Sequence, residues 1–308
     1  MSNIVFFGTP SFALPALRAL AKSPFRPIAV VTTLDKPLGR KKTLTPSPIA
    51  LEAELLGIPA LKLPTLKDDA SWAQFEALKA DVCIVVAYGN LIPQKYLAST
   101  PHGWLNIHPS LLPKLRGPSP VATAIQRGIS DSGVSIMLID DQQDHGPILA
   151  RQAWTITSTI TTPEAEREAS ELGAQLLLDV LPRYLTGEIT PRPQNDTEAT
   201  FTKKFTREDG RINWNLPAQD ILNHIRALGH NPGTWTTWDG KTLNVVRAHV
   251  SQKPATTPGN VDARGPELRI SCADTHITID ELQLEGSTRQ NAADFLRGRS
   301  AIDGACMV

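Results

Sequence analysis

The chain has 308 residues, 20% of them charged and 41% hydrophobic, with 31 Lys and Arg against 31 Asp and Glu. This length allows two domains, and the charge balance excludes a protein that is basic overall, so any nucleic acid must contact a local patch. The three cysteines are far apart, which argues against a zinc ribbon or a disulfide scaffold. We find no signal peptide and no apolar run of the roughly 20 residues that cross a bilayer, and we expect a cytoplasmic monomer without a membrane partner.

The first half of the chain alternates buried strands with amphipathic helices. Short apolar runs at 3–7, 28–31 and 81–87 are typical of strands covered on both faces, and helical patterns at 12–20 and 48–56 lie between them. This alternation predicts an α/β domain of Rossmann-like type with a mostly parallel sheet. The turn after the first strand lacks the G-x-G-x-x-G spacing, which argues against a dinucleotide site.

A basic loop rich in turn-forming residues occupies residues 33–48 and contains Arg40, Lys41 and Lys42. Its composition fits a solvated charged loop and equally an arm that binds phosphates, so both interpretations stay open at this point. Phosphate contacts from such an arm would position a nucleic acid without reading its sequence.

The segment 106–117 carries the main candidate site. Residues two apart on a strand face the same side, so Asn106 and His108 should project together. A carboxamide can donate to an oxyanion, and an imidazole can move a proton near neutral pH, which suits acyl transfer. Such a pair at a strand end is more often non-catalytic when nothing else accompanies it, so the surrounding sequence has to decide.

An acidic loop at 140–147 follows the next buried strand pattern, 133–139. Consecutive acids can bind a metal, but no further ligand spacing supports a site here, and we predict no metal. Asp144 precedes a turn and could instead lie near His108, orient its ring and favour its charged form. The sequence offers no partner for His145, which favours a loop residue without chemistry.

The character of the chain changes in its last third. The segment 190–208 is predicted to be an extended linker because prolines and polar residues replace the helical periodicity before it. From there on, short runs that alternate apolar and polar residues predict antiparallel strands, preceded by a helix at 217–228. We therefore expect a catalytic domain at 1–189 and a small, OB-like β-barrel at 209–308.

Several spaced elements resemble the signature of the 10-formyltetrahydrofolate-dependent formyltransferase family. The shared elements are Asn106, His108-Pro109-Ser110-Leu111-Leu112-Pro113, Asp144, Gly146-Pro147-Ile148-Leu149, Gly8-Thr9-Pro10 and Val86-Ala87-Tyr88-Gly89. The basic loop, the linker and the β-domain extend the similarity to the members that formylate the methionine amino group on initiator tRNA. The resemblance implies a Rossmann-like formyl-transfer domain, 10-formyltetrahydrofolate as the donor and initiator methionyl-tRNA as the acceptor, for translation initiation.

The resemblance also implies roles for particular side chains. Asn106 would donate to the tetrahedral oxyanion, and His108 would stabilise that charge or relay the proton. Asp144 would hold and polarise His108. An apolar segment and an exposed backbone turn would suit a flat pterin. The residues implied for folate are Ser110, Leu111, Leu112, Pro113, Ala87, Tyr88 and Gly89, and those implied for the acceptor stem of tRNA are Arg40, Lys41 and Lys42.

A sugar-nucleotide N-formyltransferase would use the same donor and the same three catalytic residues on a different amine, and it is the alternative function. The basic loop and the β-domain argue against it. A glycinamide ribonucleotide formyltransferase typically lacks the second domain, and a non-enzymatic RNA-binding protein would need none of the three residues. His145 departs from the family, in which we expect a small residue or threonine at that position.

Overall fold

The computed structural model describes residues 2–39 and 42–308. Arg40 and Lys41, two of the three residues predicted to contact tRNA, lie outside the described residues. The chain divides into two compact units. The first unit is Met1–Gly117, Ser132–Thr155 and Glu166–Phe201, and the second is Pro118–Asp131, Ile156–Ala165 and Thr202–Val308. The linear division predicted above, with its linker at 190–208, stays a prediction.

A seven-stranded sheet forms the centre of the first unit. The strands in this part of the chain are β1 (Ile4–Gly8), β2 (Ala29–Thr32), β3 (Lys36–Leu38), β4 (Thr43–Thr45), β5 (Ala60–Lys62), β6 (Val82–Val86), β7 (Trp104–His108), β8 (Asp131–Leu138) and β9 (Ile148–Thr155). The sheet order is β5-β2-β1-β6-β7-β8-β9. Strands β5, β2, β1, β6 and β7 pair in parallel, and β8 runs antiparallel to β7. The predicted Rossmann-like, mostly parallel domain is confirmed.

The helices connect these strands, and their starts follow from local sequence. They are α1 (Leu14–Ala21), α2 (Pro48–Leu55), α3 (Asp69–Glu76), α4 (Gln94–Ala98), α5 (Pro120–Gln126) and α6 (Thr162–Leu185). Ser47 caps α2 by accepting a hydrogen bond from the Ala50 amide, and Asp68 caps α3 by accepting one from the Ser71 amide. Each cap satisfies a backbone donor that the first turn of a helix leaves without a partner.

The sheet is covered on both faces, which explains why its strands are continuous apolar runs. In β1, Ile4 and Phe6 pack into one core with residues of α1, α2 and α6, while Val5 and Phe7 pack into another with residues of α3 and α4. Successive side chains of a strand point to opposite faces, so each core receives every second residue. Polar side chains are therefore largely confined to the ends of the strands.

Strand order reverses direction between β1 and β6. From this pair, the chain continues to β2 on one side and to β7 on the other. Gly8 and Val86, the last residues of the two strands, are paired, so the loops that follow them leave from the same edge of the sheet. Ligands of open α/β sheets bind at such an edge.

The basic loop contains a hairpin that the sequence analysis did not predict. Strand β3 pairs antiparallel with β4, with Lys36 opposite Thr45 and Leu38 opposite Thr43. The side chains of Leu38 and Leu44 are 59% and 69% exposed. This hairpin is therefore held by its backbone ladder rather than by a buried core.

The second unit contains a curled antiparallel sheet. Its elements are α7 (Ala218–Leu228), β10 (Thr234–Trp238), β11 (Lys241–Pro254), β12 (Val261–Asp262), β13 (Leu268–Ser271), β14 (Thr275–Leu284), β15 (Gln290–Asn291) and α8 (Ala292–Leu296). One edge of β14 pairs with β11, and the other pairs first with β13 and then with β15. Register shifts in β11 between Val245 and Ala248 bend the strand. The predicted β-barrel is confirmed as a half-barrel of this kind.

Hydrophobic packing explains the predicted helix before this sheet. Ala218, Ile221, Ile225 and Leu228 of α7 are buried, at helical spacing, and the first three belong to the core that β11, β13 and β14 share. Within residues 2–39 and 42–308, no helix is long and apolar enough to span a membrane.

Candidate functional site

Asn106 and His108 lie near the carboxyl end of β7, an inner strand of the large sheet. Leu105 and Ile107 pack into the core that α6 covers, so the alternation of the strand turns Asn106 and His108 to the opposite face, with Trp104. Asn106 is paired with Val85 of β6 and is partly exposed, whereas His108 is only 4% exposed. The carboxamide can therefore meet a ligand, and the imidazole is shielded from bulk water.

The structure brings Asp144 beside His108. The Nδ1 atom of His108 lies 3.6 Å from the Oδ1 atom of Asp144, and its Nε2 atom lies 3.0 Å from the carbonyl oxygen of Leu115. The other oxygen of Asp144 accepts a hydrogen bond of 2.8 Å from the Gly117 amide. Because a carbonyl oxygen only accepts hydrogen bonds, Nε2 carries a proton and donates to Leu115. If Nδ1 also carries a proton and donates it towards Asp144, the imidazole is in its doubly protonated form. The site can hold this histidine in a defined orientation in either protonation state.

The loop that carries Asp144 makes a tight approach to β8. Asp144 itself has a φ of +50°, a left-handed conformation that aspartate tolerates better than most residues. At Gly146, a Cβ atom would lie 2.0 Å from the carbonyl oxygen of Leu138. No side chain fits there, which explains a glycine two residues after the aspartate.

Ser135 anchors the segment predicted to bind folate. This residue of β8 is paired with His108, its Oγ donates to the carbonyl oxygen of Ser110 at 2.7 Å, and it accepts from the Leu112 amide at 3.1 Å. The sequence analysis missed Ser135, although one signal was available. A fully buried serine in the otherwise apolar stretch from Val134 to Met137 needs internal hydrogen-bond partners.

The four residues of that segment differ in exposure. Ser110 and Leu112 are completely buried, Pro113 is buried and Leu111 is partly exposed. The Ser110 hydroxyl donates to the Lys114 carbonyl at 2.6 Å, so it closes the turn. Leu112 packs with Met137 and Ile148. The buried members therefore shape the loop, and a ligand can reach mainly Leu111 and the backbone.

The second predicted folate segment follows β6. Ala87 is exposed and has a φ of +49°, and Gly89 is exposed, with open space for 4 Å around the point where a Cβ atom would lie. Tyr88 points inward, where its ring lies edge-on to Phe7 with 5.4 Å between the ring centres. Burial raises the pKa of the Tyr88 hydroxyl. This turn thus offers backbone at the carboxyl edge of the sheet and uses its aromatic residue as an anchor.

His145 has partners that the sequence did not indicate. Its Nδ1 atom lies 2.6 Å from an oxygen of Asp140, and its Nε2 atom lies 3.4 Å from an oxygen of Asp196. The hydrogen bond with Asp140 is the main reason that the pKa of His145 is raised. The structure thus supplies two partners that the sequence did not identify, one of them from a distant part of the chain. The expectation that His145 has no chemical role stays a prediction.

The remaining predicted residues are placed as follows. Lys42 is exposed, adjoins β4 and has a φ of +49°. In the part of the chain that the structure describes, no group of three or more His, Cys, Asp or Glu side chains is arranged to hold a metal ion.

Comparisons with known proteins agree over nearly the whole chain. Residues 2–181 match the formyl transferase family model, and residues 204–300 match the model of the formyl transferase C-terminal domain. The methionyl-tRNA formyltransferase of Roseiflexus castenholzii is 41% identical over 299 residues, which cover 96% of each chain. That of Chloroflexus aggregans is 44% identical over 300 residues, 96% of this chain and 97% of the relative.

A solved structure shares the fold at much lower identity. The N-formyltransferase of Helicobacter canadensis, in complex with folinic acid and dTDP-3-aminofucose, matches 94% of this chain and 100% of its own, with a TM-score of 0.68. The two sequences are 17% identical, so this similarity concerns the fold alone.

Proposed function

Because the chain belongs to the methionyl-tRNA formyltransferases, we propose that it transfers a formyl group from 10-formyltetrahydrofolate to the methionine amino group of initiator methionyl-tRNA, with Asn106, His108 and Asp144 as catalytic residues. One observation carries the assignment of these residues. A buried imidazole at the end of an inner strand has a carboxylate 3.6 Å from one nitrogen and a carboxamide two residues away on the same face.

The proposed reaction begins when the methionine nitrogen attacks the formyl carbon and forms the new C–N bond. The formyl C=O becomes an oxyanion, to which the Asn106 amide donates. His108 accepts a proton from the attacking nitrogen and delivers it to N10 of the folate as the C–N10 bond breaks. The products are formylmethionyl-tRNA and tetrahydrofolate, and no proton is gained or lost in the transfer itself.

Asp144 supports His108 in this scheme. An adjacent carboxylate orients the ring and stabilises the charge that the imidazole acquires when it takes the proton. The Gly117 amide, bound to the other carboxylate oxygen, keeps Asp144 from rotating away.

The folate donor is proposed to bind between the turn at 87–89 and the loop at 110–113. The carboxyl edge of the sheet supports this, because the exposed backbone of Ala87 and Gly89 and the accessible part of Leu111 offer polar and apolar contacts for a pterin ring. The match to the formyl transferase family and its methionyl-tRNA formyltransferase relatives supports a folate as the ligand class.

The tRNA is proposed to contact Arg40 and Lys41, which lie outside the described residues, and Lys42, which is exposed and adjoins β4. Lys36 and Lys42 are exposed on the β3–β4 hairpin, so phosphates can reach their ammonium groups. We expect Arg40→Ala to weaken use of tRNA and to leave folate binding nearly unchanged. An equal loss of both would mean that the segment has only a structural role.

An assay with three acceptors tests the function. Purified protein and 10-formyltetrahydrofolate are offered charged initiator tRNA, an amino-sugar nucleotide or free methionine, and formylated product is quantified. We expect efficient transfer to the tRNA alone. Transfer only to the sugar nucleotide would establish the alternative, a sugar-nucleotide N-formyltransferase, and no transfer to any acceptor would remove the catalytic assignment.

A further inference from the structure

The segment 192–201, called the brace below, is hydrogen-bonded to both loops of the proposed catalytic site. At its start, Arg192 and Ile148 exchange two backbone hydrogen bonds, with N–O distances of 2.8 and 2.9 Å. At its end, the Arg116 amide donates to the Thr200 carbonyl at 2.8 Å. Ile148 follows the loop of Asp144, and Arg116 follows the residue that contacts His108. One stretch of chain therefore fixes the two loops relative to each other.

Gln194 holds the backbone around Asp144. Its Nε2 atom donates to the carbonyl oxygens of Asp144, at 2.9 Å, and Gly146, at 2.8 Å. Its Oε1 atom accepts from Nε and Nη2 of Arg116, at 3.1 and 2.9 Å. Arginine only donates and the two carbonyls only accept, so the amide has a single orientation. The side chain thus bridges the two residues on either side of His145 in a loop whose aspartate has a left-handed backbone.

Thr200 acts on the other partner of His108. Its Oγ1 atom accepts a hydrogen bond of 2.8 Å from the Leu115 amide. The carbonyl oxygen of Leu115 in turn accepts a hydrogen bond from Nε2 of His108. Leu115 has a φ of +59°. A leucine rarely adopts this conformation, so an external bond that holds its peptide groups also sets the direction of the carbonyl that orients the ring.

We propose that Gln194 and Thr200 are positioning residues for formyl transfer: Gln194 places Asp144, and Thr200, through Leu115, fixes the orientation of His108. This inference rests on the proposed catalytic roles of Asp144 and His108. In this proposal, neither Gln194 nor Thr200 touches a reacting atom. Their effect is to hold the carboxylate and the imidazole in register, and displacement by about 1 Å at such a site costs up to about 100-fold in rate.

The main test is a double-mutant cycle on the whole chain, measured by steady-state and single-turnover formylation of charged initiator tRNA. Gln194→Glu keeps the shape of the side chain but loses both donors to the carbonyls, and Gln194→Met removes all its polar contacts. We expect each to lower kcat about 10- to 100-fold, with KM for both substrates within about threefold. In an Asp144→Asn background, the same changes should cost less than about threefold, because contacts that act through one group are not additive.

Thr200 is tested by an isosteric pair of changes. Thr200→Val removes the acceptor and should lower kcat about three- to tenfold, a smaller effect because Thr200 is exposed and water can replace its hydroxyl. Thr200→Ser keeps the hydroxyl and should restore the rate. Thr197→Val is the matched control in the brace, since the Thr197 hydroxyl bonds only to Asn195 among the contacts described. Gln152→Glu, at an exposed position of β9, is the control for Gln194→Glu.

The outcomes separate this inference from the function on which it rests. If Asp144→Asn leaves the rate unchanged, the catalytic assignment fails. If Asp144→Asn lowers the rate strongly and the Gln194 changes cause the same fold-loss in the Asp144→Asn background as in the wild type, their effects are independent of Asp144. The brace then has only a structural role, and the inference is overturned. Equal losses from Thr200→Ser and Thr200→Val would likewise overturn the part that concerns Thr200.

Discussion

Each unit of the chain holds a histidine beside an aspartate, and the two pairs differ in an instructive way. His249 and Asp280, on β11 and β14, are 2.9 Å apart but their side chains are 57% and 37% exposed. His108 and Asp144 are 3.6 Å apart, with side chains 5% and 16% exposed. The closer pair lies in water on an antiparallel sheet, and the more distant pair is buried at the end of a parallel one. Burial and fixed partners, rather than distance, distinguish the pair to which we assign chemistry.

The largest effect is expected at the buried pair and its neighbour. Asn106→Ala removes the proposed donor to the oxyanion, and such a donor is worth about 3 kcal/mol of barrier, so kcat should fall about 100-fold or more. His108→Ala should lower kcat by at least about as much because it removes the proposed proton relay. Single-turnover formylation measures both. A loss of less than about threefold in Asn106→Ala would contradict the oxyanion assignment.

Ser135→Ala sharpens the comparison because it removes a buried hydroxyl that bonds to Ser110 and Leu112 and leaves the side chains of His108 and Asp144 in place. The change leaves the Leu112 amide without its acceptor, and a buried donor without a partner costs about 1–3 kcal/mol. We expect that loss in the free energy of unfolding, measured by urea titration, and a raised KM for the folate. Ser158→Ala, at an exposed position, should stay within about 0.5 kcal/mol and serves as the control.

His145 is intermediate between the two pairs, and its contribution should depend on pH. Asp140 and Asp196 raise its pKa above the ordinary 6.5, while the charge of Arg116 acts in the opposite direction. A raised pKa in the folded state means that the stabilisation is complete below pH 6.5 and is lost as the pH rises through the folded value. The difference in unfolding free energy between the wild type and His145→Gln should therefore be larger at pH 6 than at pH 9. A difference that does not change with pH would mean that the ring is not charged in this pair.

The smallest effect is expected at the exposed pair. His249→Ala should change the free energy of unfolding by less than about 1 kcal/mol, because solvent screens the interaction with Asp280. The formylation rate should stay within about twofold of the wild type. A large loss of activity with the fold intact would break the comparison, since it would assign function to a solvated pair.

Local pattern predicted the strand that carries Asn106 and His108 and the loop that carries Asp144, but not the contacts that support them. The period of two along β7 was enough to place Asn106 and His108 on one face, and the turn chemistry after Asp144 marked its loop. The contacts that hold the loops join residues far apart in sequence, 50 positions for Gln194 to Asp144 and 85 for Leu115 to Thr200. Such contacts form only when distant segments of the chain pack together in the fold. The local periods of two or 3.6 residues, which identify strands and helices, carry no information about them.

The hairpin β3–β4 was missed for a different reason. Its strands have three residues each and present exposed side chains, so they carry no alternation of buried and exposed positions to recognise. Its backbone ladder forms without a hydrophobic pattern, whereas the strands of the large sheet are defined by one.

The brace has a consequence for engineering the chain. Exposed stretches without long helices or strands are where insertions, tags and permuted termini are usually tolerated. Here, one extra residue between Gln194 and Thr200 would shift one contact relative to the other, and the protein could keep its fold and still lose turnover. New sequence is better accommodated at exposed turns such as Asp239-Gly240, where the glycine has open space around it.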